Sequence, residues 1–193
     1  MHNLFRLALL ALPLTALAGE PAAVDAQTWP PHSFRFSHDA LACKLPSPDI
    51  DFGCLRIGEF QIGSDWDSVK ARLGEPWKRE ALPDGGVREV HLVDRDAERR
   101  TFSYWVLESR GGKLVNAQLT GNHAPQDPAT APGFSGVQLG DTQARVRELL
   151  GPRFESTPVP EIGGVLWKYA PFRFSIEFVD GQVYSLRVHD GNG

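Results

Sequence analysis

Between residues 172 and 188 apolar and polar positions alternate. Phe172, Phe174, Ile176 and Phe178 stand against Arg173, Ser175 and Glu177, and past Asp180-Gly181 the apolar set continues as Tyr184, Leu186 and Val188 against Ser185 and Arg187. A period of two is that of a strand with one buried face, and Asp-Gly between two such runs is a tight hairpin turn. Shorter β-rich runs recur at 77–81, 87–93, 101–107, 113–119, 153–157 and 165–169, parted by turn residues such as PDGG, DRDAE and RGG.

Two stretches leave this period, and they resemble each other. IGSDWDSVKARLGEPWKRE begins at Ile62, and LGDTQARVRELLGPRFEST begins 77 positions later at Leu139. Each opens on an apolar residue and glycine and closes on Gly74 or Gly151, with a proline just beyond. Trp66, Val69 and Leu73 fall at i, i+3 and i+7, and Val146, Leu149 and Leu150 likewise line one helical face. Ser64 is the expected N-cap of the first helix, and Asp141 or Thr142 that of the second. Helices this short are unstable alone and must dock on something.

The pattern predicts an α+β fold of two tandem repeats, at 58–123 and 134–193. Each is a short helical segment followed by a four-stranded antiparallel meander, and a proline-rich linker at 124–133 joins them. One such unit has little core of its own, so the two are expected to lie side by side.

The chain begins MHNLFRLALLALPLTALAGE, with one early cation, an apolar run and a small-x-small triplet. Residues 1–18 therefore read as a secretory signal peptide cleaved before Gly19, which predicts a periplasmic or secreted protein. The apolar run is short for a bilayer span, so no integral membrane span is expected. Residues 19–57 read as an N-terminal extension containing the two cysteines, Cys43 and Cys54. In an oxidising compartment these are expected to form a disulfide, contributing about 2–3 kcal/mol for so short a loop.

The whole chain has a formal charge of −4, and without residues 1–18 it holds 19 basic against 24 acidic residues. That balance argues against nucleic acid as a partner. His32, His38, His91, His123 and His189 show no metal-ligand spacing, so no metal or cofactor is expected. GFSG at 133–136 lacks the full nucleophile-elbow pattern and follows a proline-rich stretch, not a strand. Asp49 and Asp51 lack a calcium-loop pattern, and the glycine pairs at 85–86, 111–112 and 163–164 punctuate hairpins. No catalytic constellation emerges.

The repeated apolar-Gly-Ser/Asp opening, the capped helix and the Leu-Gly-x-Pro or Leu-Gly-Pro closure resemble the β-lactamase-inhibitor-protein-like fold. The residues concerned are Ile62-Gly63-Ser64, Val69, Leu73-Gly74 and Pro76, then Leu139-Gly140-Asp141, Val146 and Leu150-Gly151-Pro152. Relatives of that family include the single-unit SmpA/OmlA envelope proteins. The resemblance implies a concave sheet surface that grips another protein. The chain lacks the anchor cysteine of the single-unit relatives.

In TFSYWVL, if Phe102, Tyr104 and Val106 face the core, then Trp105 faces out beside Thr101 and Ser103. An outward tryptophan is a candidate binding anchor. Asn116, Gln118, Arg173, Glu177 and Arg187 fall on the same outward set. The alternative is that this face too is covered, which would put Trp105 in the core. The functional expectation is an exported, non-enzymatic protein-binding module, such as an inhibitor or immunity-type protein. It would occlude another envelope or secreted protein. The alternative is a structural or assembly factor of the cell envelope.

Overall fold

The computed structural model describes residues 56–124, 132–152, 154–169 and 173–191, together with two short strands near the N-terminus, β1 (Arg35–Phe36) and β2 (Asp39–Ala42). The expected signal peptide at 1–18, the Cys43–Cys54 disulfide and most of the 124–133 linker lie outside the described residues.

Chain order then runs β3 (Arg56–Ile57), β4 (Phe60–Gln61), helix α1 (Trp66–Lys70), β5 (Lys78–Ala81), β6 (Val87–Asp96), β7 (Thr101–Arg110) and β8 (Lys113–Gly121). After these come β9 (Gly133–Phe134), β10 (Val137–Gln138), helix α2 (Gln143–Leu150), β11 (Glu155–Val159), β12 (Gly164–Lys168), β13 (Phe174–Val179) and β14 (Gln182–His189). Eight of these strands form one antiparallel sheet in the order β11-β12-β13-β14-β8-β7-β6-β5. β5 and β11 are therefore its edges.

This corrects the expected fold class. The described residues are mostly β, with helices of just five and eight residues, and they do not form two helix-plus-meander repeats. The strands form one sheet, because β14 pairs directly with β8 and carries the hydrogen-bond ladder across the expected boundary: Leu186 opposes Leu119 and Val188 opposes Ala117. An open edge on either side of that boundary would leave a row of backbone donors and acceptors unpaired. The helices are shorter than their sequence patterns because tertiary docking fixes their ends. After Lys70 the chain tightens into i→i+3 bonds, from Arg72 N to Val69 O and from Leu73 N to Lys70 O.

Both helices start against a hairpin of the sheet. Gly63 N donates to Leu114 O, Leu114 N to Ser64 O, and Trp66 N to Gly112 O, at 2.8–2.9 Å. At the second helix Gly140 N donates to Val183 O, Val183 N to Asp141 O, and Gln143 N to Gly181 O. Strand and turn carbonyls thus take up N–H groups at the helix entrances that have no intrahelical partner. Gly63 and Gly140, at φ +87° and +85°, make the entry turn that a side chain would strain. The cap of α1 is Asp65, not Ser64: its carboxylate accepts from Ser68 N at 3.2 Å. Thr142 caps α2 by accepting from Arg145 N.

Cross-strand pairing assigns the faces. His91, Trp105, Leu119, Leu186, Ile176 and Trp167 form one row across six strands, on the face that the helices and short hairpins cover. That face packs with Ile57, Phe60, Ile62, Trp66, Val69, Phe134, Val137, Val146 and Leu150 into one core. Phe154 stacks on Trp167 at 3.8 Å, and Tyr169 stacks on Phe174 at 4.5 Å. The next row, Lys78, Val90, Val106, Gln118, Arg187 and Ser175, lies on the opposite, uncovered face.

Candidate functional site

The uncovered face holds a groove of about 780 Å³ over β5–β8, with Arg187 of β14 at its far side. Val90, Val106, Phe102 and Tyr104 make an apolar floor, and Trp77 and Leu92 stand beside it. Trp77 is 69% exposed and Leu92 47%, and they are the large apolar side chains that stand exposed among the described residues. Exposed apolar side chains grouped on one groove are the kind of surface on which partners dock, which makes this groove the candidate site.

Local backbone chemistry places this floor. A bulge at Val93 shifts the β6–β7 register between Leu92 and Asp94, which increases the twist there. At the hairpin tip Asp96 accepts from Glu98 N and Arg99 N, closing the turn. Asn122 then holds the start of β7: it accepts from Phe102 N at 2.9 Å and donates to Arg100 O at 3.0 Å. Phe102 and Tyr104, two residues apart on one strand, lie nearly parallel with ring centroids 6.0 Å apart.

Charges rim the groove. Arg88 donates to Glu108 at 2.7–2.8 Å and also pairs with Glu80, which Lys78 contacts from its other side. The hydrogen bond to Glu108 pushes the Arg88 guanidinium further up its already high range, and Lys78 holds the Glu80 carboxyl below the usual range. Both carboxylates are thus held by cations of the same rim. Arg187 differs, because its Nε donates to the amide oxygen of Asn116 at 2.6 Å, an uncharged acceptor. Burial pushes the Tyr104 phenol up, so it stays neutral and able to donate at physiological pH.

The expected site residues divide on this geometry. Arg187 and Gln118 line the groove, and Asn116 is buried where it anchors Arg187. Glu177 shares the uncovered face through the row Tyr104, Thr120, Ser185 and Glu177, but lies on β13, outside the groove lining. Arg173 is exposed and donates to Asp190 O near the C-terminal end. Trp105, offered as an outward anchor with a core position as the alternative, takes the core position: it is 5% exposed and packs edge-on against Phe60 at 4.8 Å. In β7, Ser103, Trp105 and Leu107 are buried, and Phe102, Tyr104 and Val106 face the groove. Trp77, Leu92, Phe102 and Tyr104 are the groove residues that the pattern concealed, since an aromatic run with period two reads as core.

A second cluster lies on the covered face. Glu89, 1% exposed, accepts from Arg79 at 2.7 Å and contacts His91 Nε2 at 3.0 Å. A carboxylate can orient an imidazole for base catalysis, and among the described residues that line the adjoining 490 Å³ cleft none carries a hydroxyl or thiol. Among the described residues no group of three or more histidine, cysteine or acidic side chains could hold a metal ion. No helix among them is long and apolar enough to cross a membrane.

No protein-family model matches the chain, and no curated protein is significantly similar to it. Among solved structures, the chain is similar to a cysteine-rich secretory protein from Staphylococcus aureus subsp. aureus Mu50. The identity is 16% and the TM-score 0.41, over 66% of this chain and 44% of that one. The chain thus spans less than half the length of that protein.

Proposed function

We propose that this chain is an exported, non-enzymatic protein-binding module, of an inhibitor or immunity type, that holds a partner protein on the uncovered face of its sheet. The observation that carries this reading is that Trp77 and Leu92 both stand on one groove floored by further aromatic and branched side chains. Tryptophan and tyrosine dominate the energetics of protein interfaces, and a sheet face is already ordered, so little entropy is lost when a partner docks. The resemblance of the glycine-bracketed helix motifs to the inhibitor family points the same way.

The test is a photo-crosslinking amino acid placed at position 77 in the exporting cell, with the same group at Thr157 as the control. Trp77 borders the groove, whereas Thr157 lies on the far edge strand. A discrete adduct at position 77 and none at position 157 is expected. Equal labelling at both positions, or none at either, would sink the reading. Recovery of the unlinked protein in the sedimenting envelope would favour a structural factor instead.

A further inference from the structure

The groove also says what kind of partner segment fits it, an inference that rests on the protein-binding reading. Its lining contains four cations, Lys78, Arg88, Arg95 and Arg187, and two carboxylates, Glu80 and Glu108. Both carboxylates are already engaged, Glu108 by Arg88 and Glu80 by Arg88 and Lys78. Arg187 forms no ion pair among the described residues, and the hydrogen bond that fixes its guanidinium goes to a neutral amide. The chain as a whole carries −4, whereas the groove lining holds more cations than carboxylates. A local excess of the opposite sign steers and selects partners more than it strengthens every contact.

We infer that the groove receives an acidic, apolar-flanked protein segment, with a partner carboxylate meeting Arg187 and the flanking side chains covering Tyr104, Val106 and Trp77. A carboxylate matches the fork of a guanidinium, and charge-assisted pairs of this kind are stronger than neutral hydrogen bonds. Asn116, 2% exposed, occupies Nε from below and holds the fork in a fixed orientation. The apolar floor excludes water next to that pair, which lowers the local dielectric and strengthens the attraction. Tyr104 adds a phenolic donor beside the floor. A basic segment would face the same cations unpaired.

The experiment is a selection of displayed random twelve-residue peptides on the full-length protein, followed by titration of the enriched peptides. Peptides with Asp or Glu beside aromatic or branched residues are expected, with binding lost in Trp77→Ala. Replacing that acid by its amide should weaken binding to the wild-type protein about tenfold or more, a measurement that needs no variant to fold. Arg187→Gln should produce a similar loss, and Arg187→Lys a smaller one. Raising the salt should weaken the wild-type complex and leave the Arg187→Gln complex nearly unchanged. Enriched peptides that need Trp77 but tolerate the amide exchange would overturn the acidic preference and leave the protein-binding reading standing. If no enriched peptide depends on Trp77, the protein-binding reading itself fails. A dodecanoate titration that shifts Trp77 fluorescence, with no Trp77-dependent peptide, would make the occupant an amphiphile and overturn both.

Discussion

The two halves of the sheet divide polar and apolar residues differently. In β13 and β14 the covered face holds Phe174, Ile176, Phe178, Leu186 and Val188, and the uncovered face holds Ser175, Glu177 and Arg187. In β6 and β7 the covered face admits Glu89, His91 and Ser103 beside Trp105 and Leu107, while Val90, Leu92, Phe102, Tyr104 and Val106 face away from the core. The second half obeys the ordinary rule for a half-buried sheet. The first half accepts buried polar groups and half-buried aromatic ones, the kind of departure from pattern that is expected at functional surfaces. The difference between the halves singles out the groove face as the place where the proposed binding would be tested.

The comparison can be broken most forcefully at the two tryptophans. Trp105→Ala should cost about 3–5 kcal/mol of folding stability, as for other large aromatic side chains removed from a core. Urea unfolding measures this, and a loss below 1 kcal/mol would return Trp105 to the surface. Glu89→Ala should cost about 1–3 kcal/mol, because it leaves His91 buried without its carboxylate. The same unfolding curves check it, and a neutral result would show that the polar group on the covered face is dispensable. Trp77→Ala should change stability by no more than about 0.5 kcal/mol, as for surface sites, while weakening partner binding about tenfold or more. A stability loss as large as that of Trp105→Ala would mean that Trp77 belongs to the core.

The smallest effect concerns pH. His189 stands on the uncovered face, and burial, followed by the nearby Arg187 charge, lowers its pKa below the ordinary 6.5. Its ring Nδ1 accepts from Gly191 N at 3.0 Å, which requires the neutral form at that nitrogen. The unfolded chain therefore binds this proton more readily than the folded one. The contribution of His189 is fully present above about pH 6.5 and is lost as pH falls through the lowered folded value. Unfolding curves at pH 7.5 and 5.5 should show the acid loss in the wild type and a shallower dependence in His189→Gln. Identical slopes would remove His189 from the account.

Much of the strand layout was legible, because the turn residues that separate the strands are chemically distinctive. Asp180-Gly181, Gly111-Gly112 and the Gly63 and Gly140 entry turns permit positive φ, and each falls where the sequence placed a turn. What sequence could not supply was the β8–β14 ladder, since pairing between distant strands depends on no local residue pattern. That omission produced the two-repeat reading. The faces of β7 stayed open for a related reason. Both alternating sets, Phe102-Tyr104-Val106 and Ser103-Trp105-Leu107, contain aromatic and apolar residues, so alternation alone does not choose between them. Glu89 and His91 carry the same ambiguity in β6, where both lie buried on the covered face and Arg79 of β5 donates to Glu89. The groove was therefore hidden behind a plausible core, while Arg187 and Gln118, being polar, were placed on the correct side.

The ends of the sheet have a consequence of their own. β5 is the charged stretch Lys78-Arg79-Glu80, with Lys78 locked to Glu80, and β11 carries Pro158, which has no N–H to offer a newcomer. Neither border invites another strand, so stacking copies end to end into fibrils is discouraged at both margins. Backbone pairing at the margins is thereby disfavoured, which leaves side chains on the broad side of the sheet as the means of contact in the proposed role.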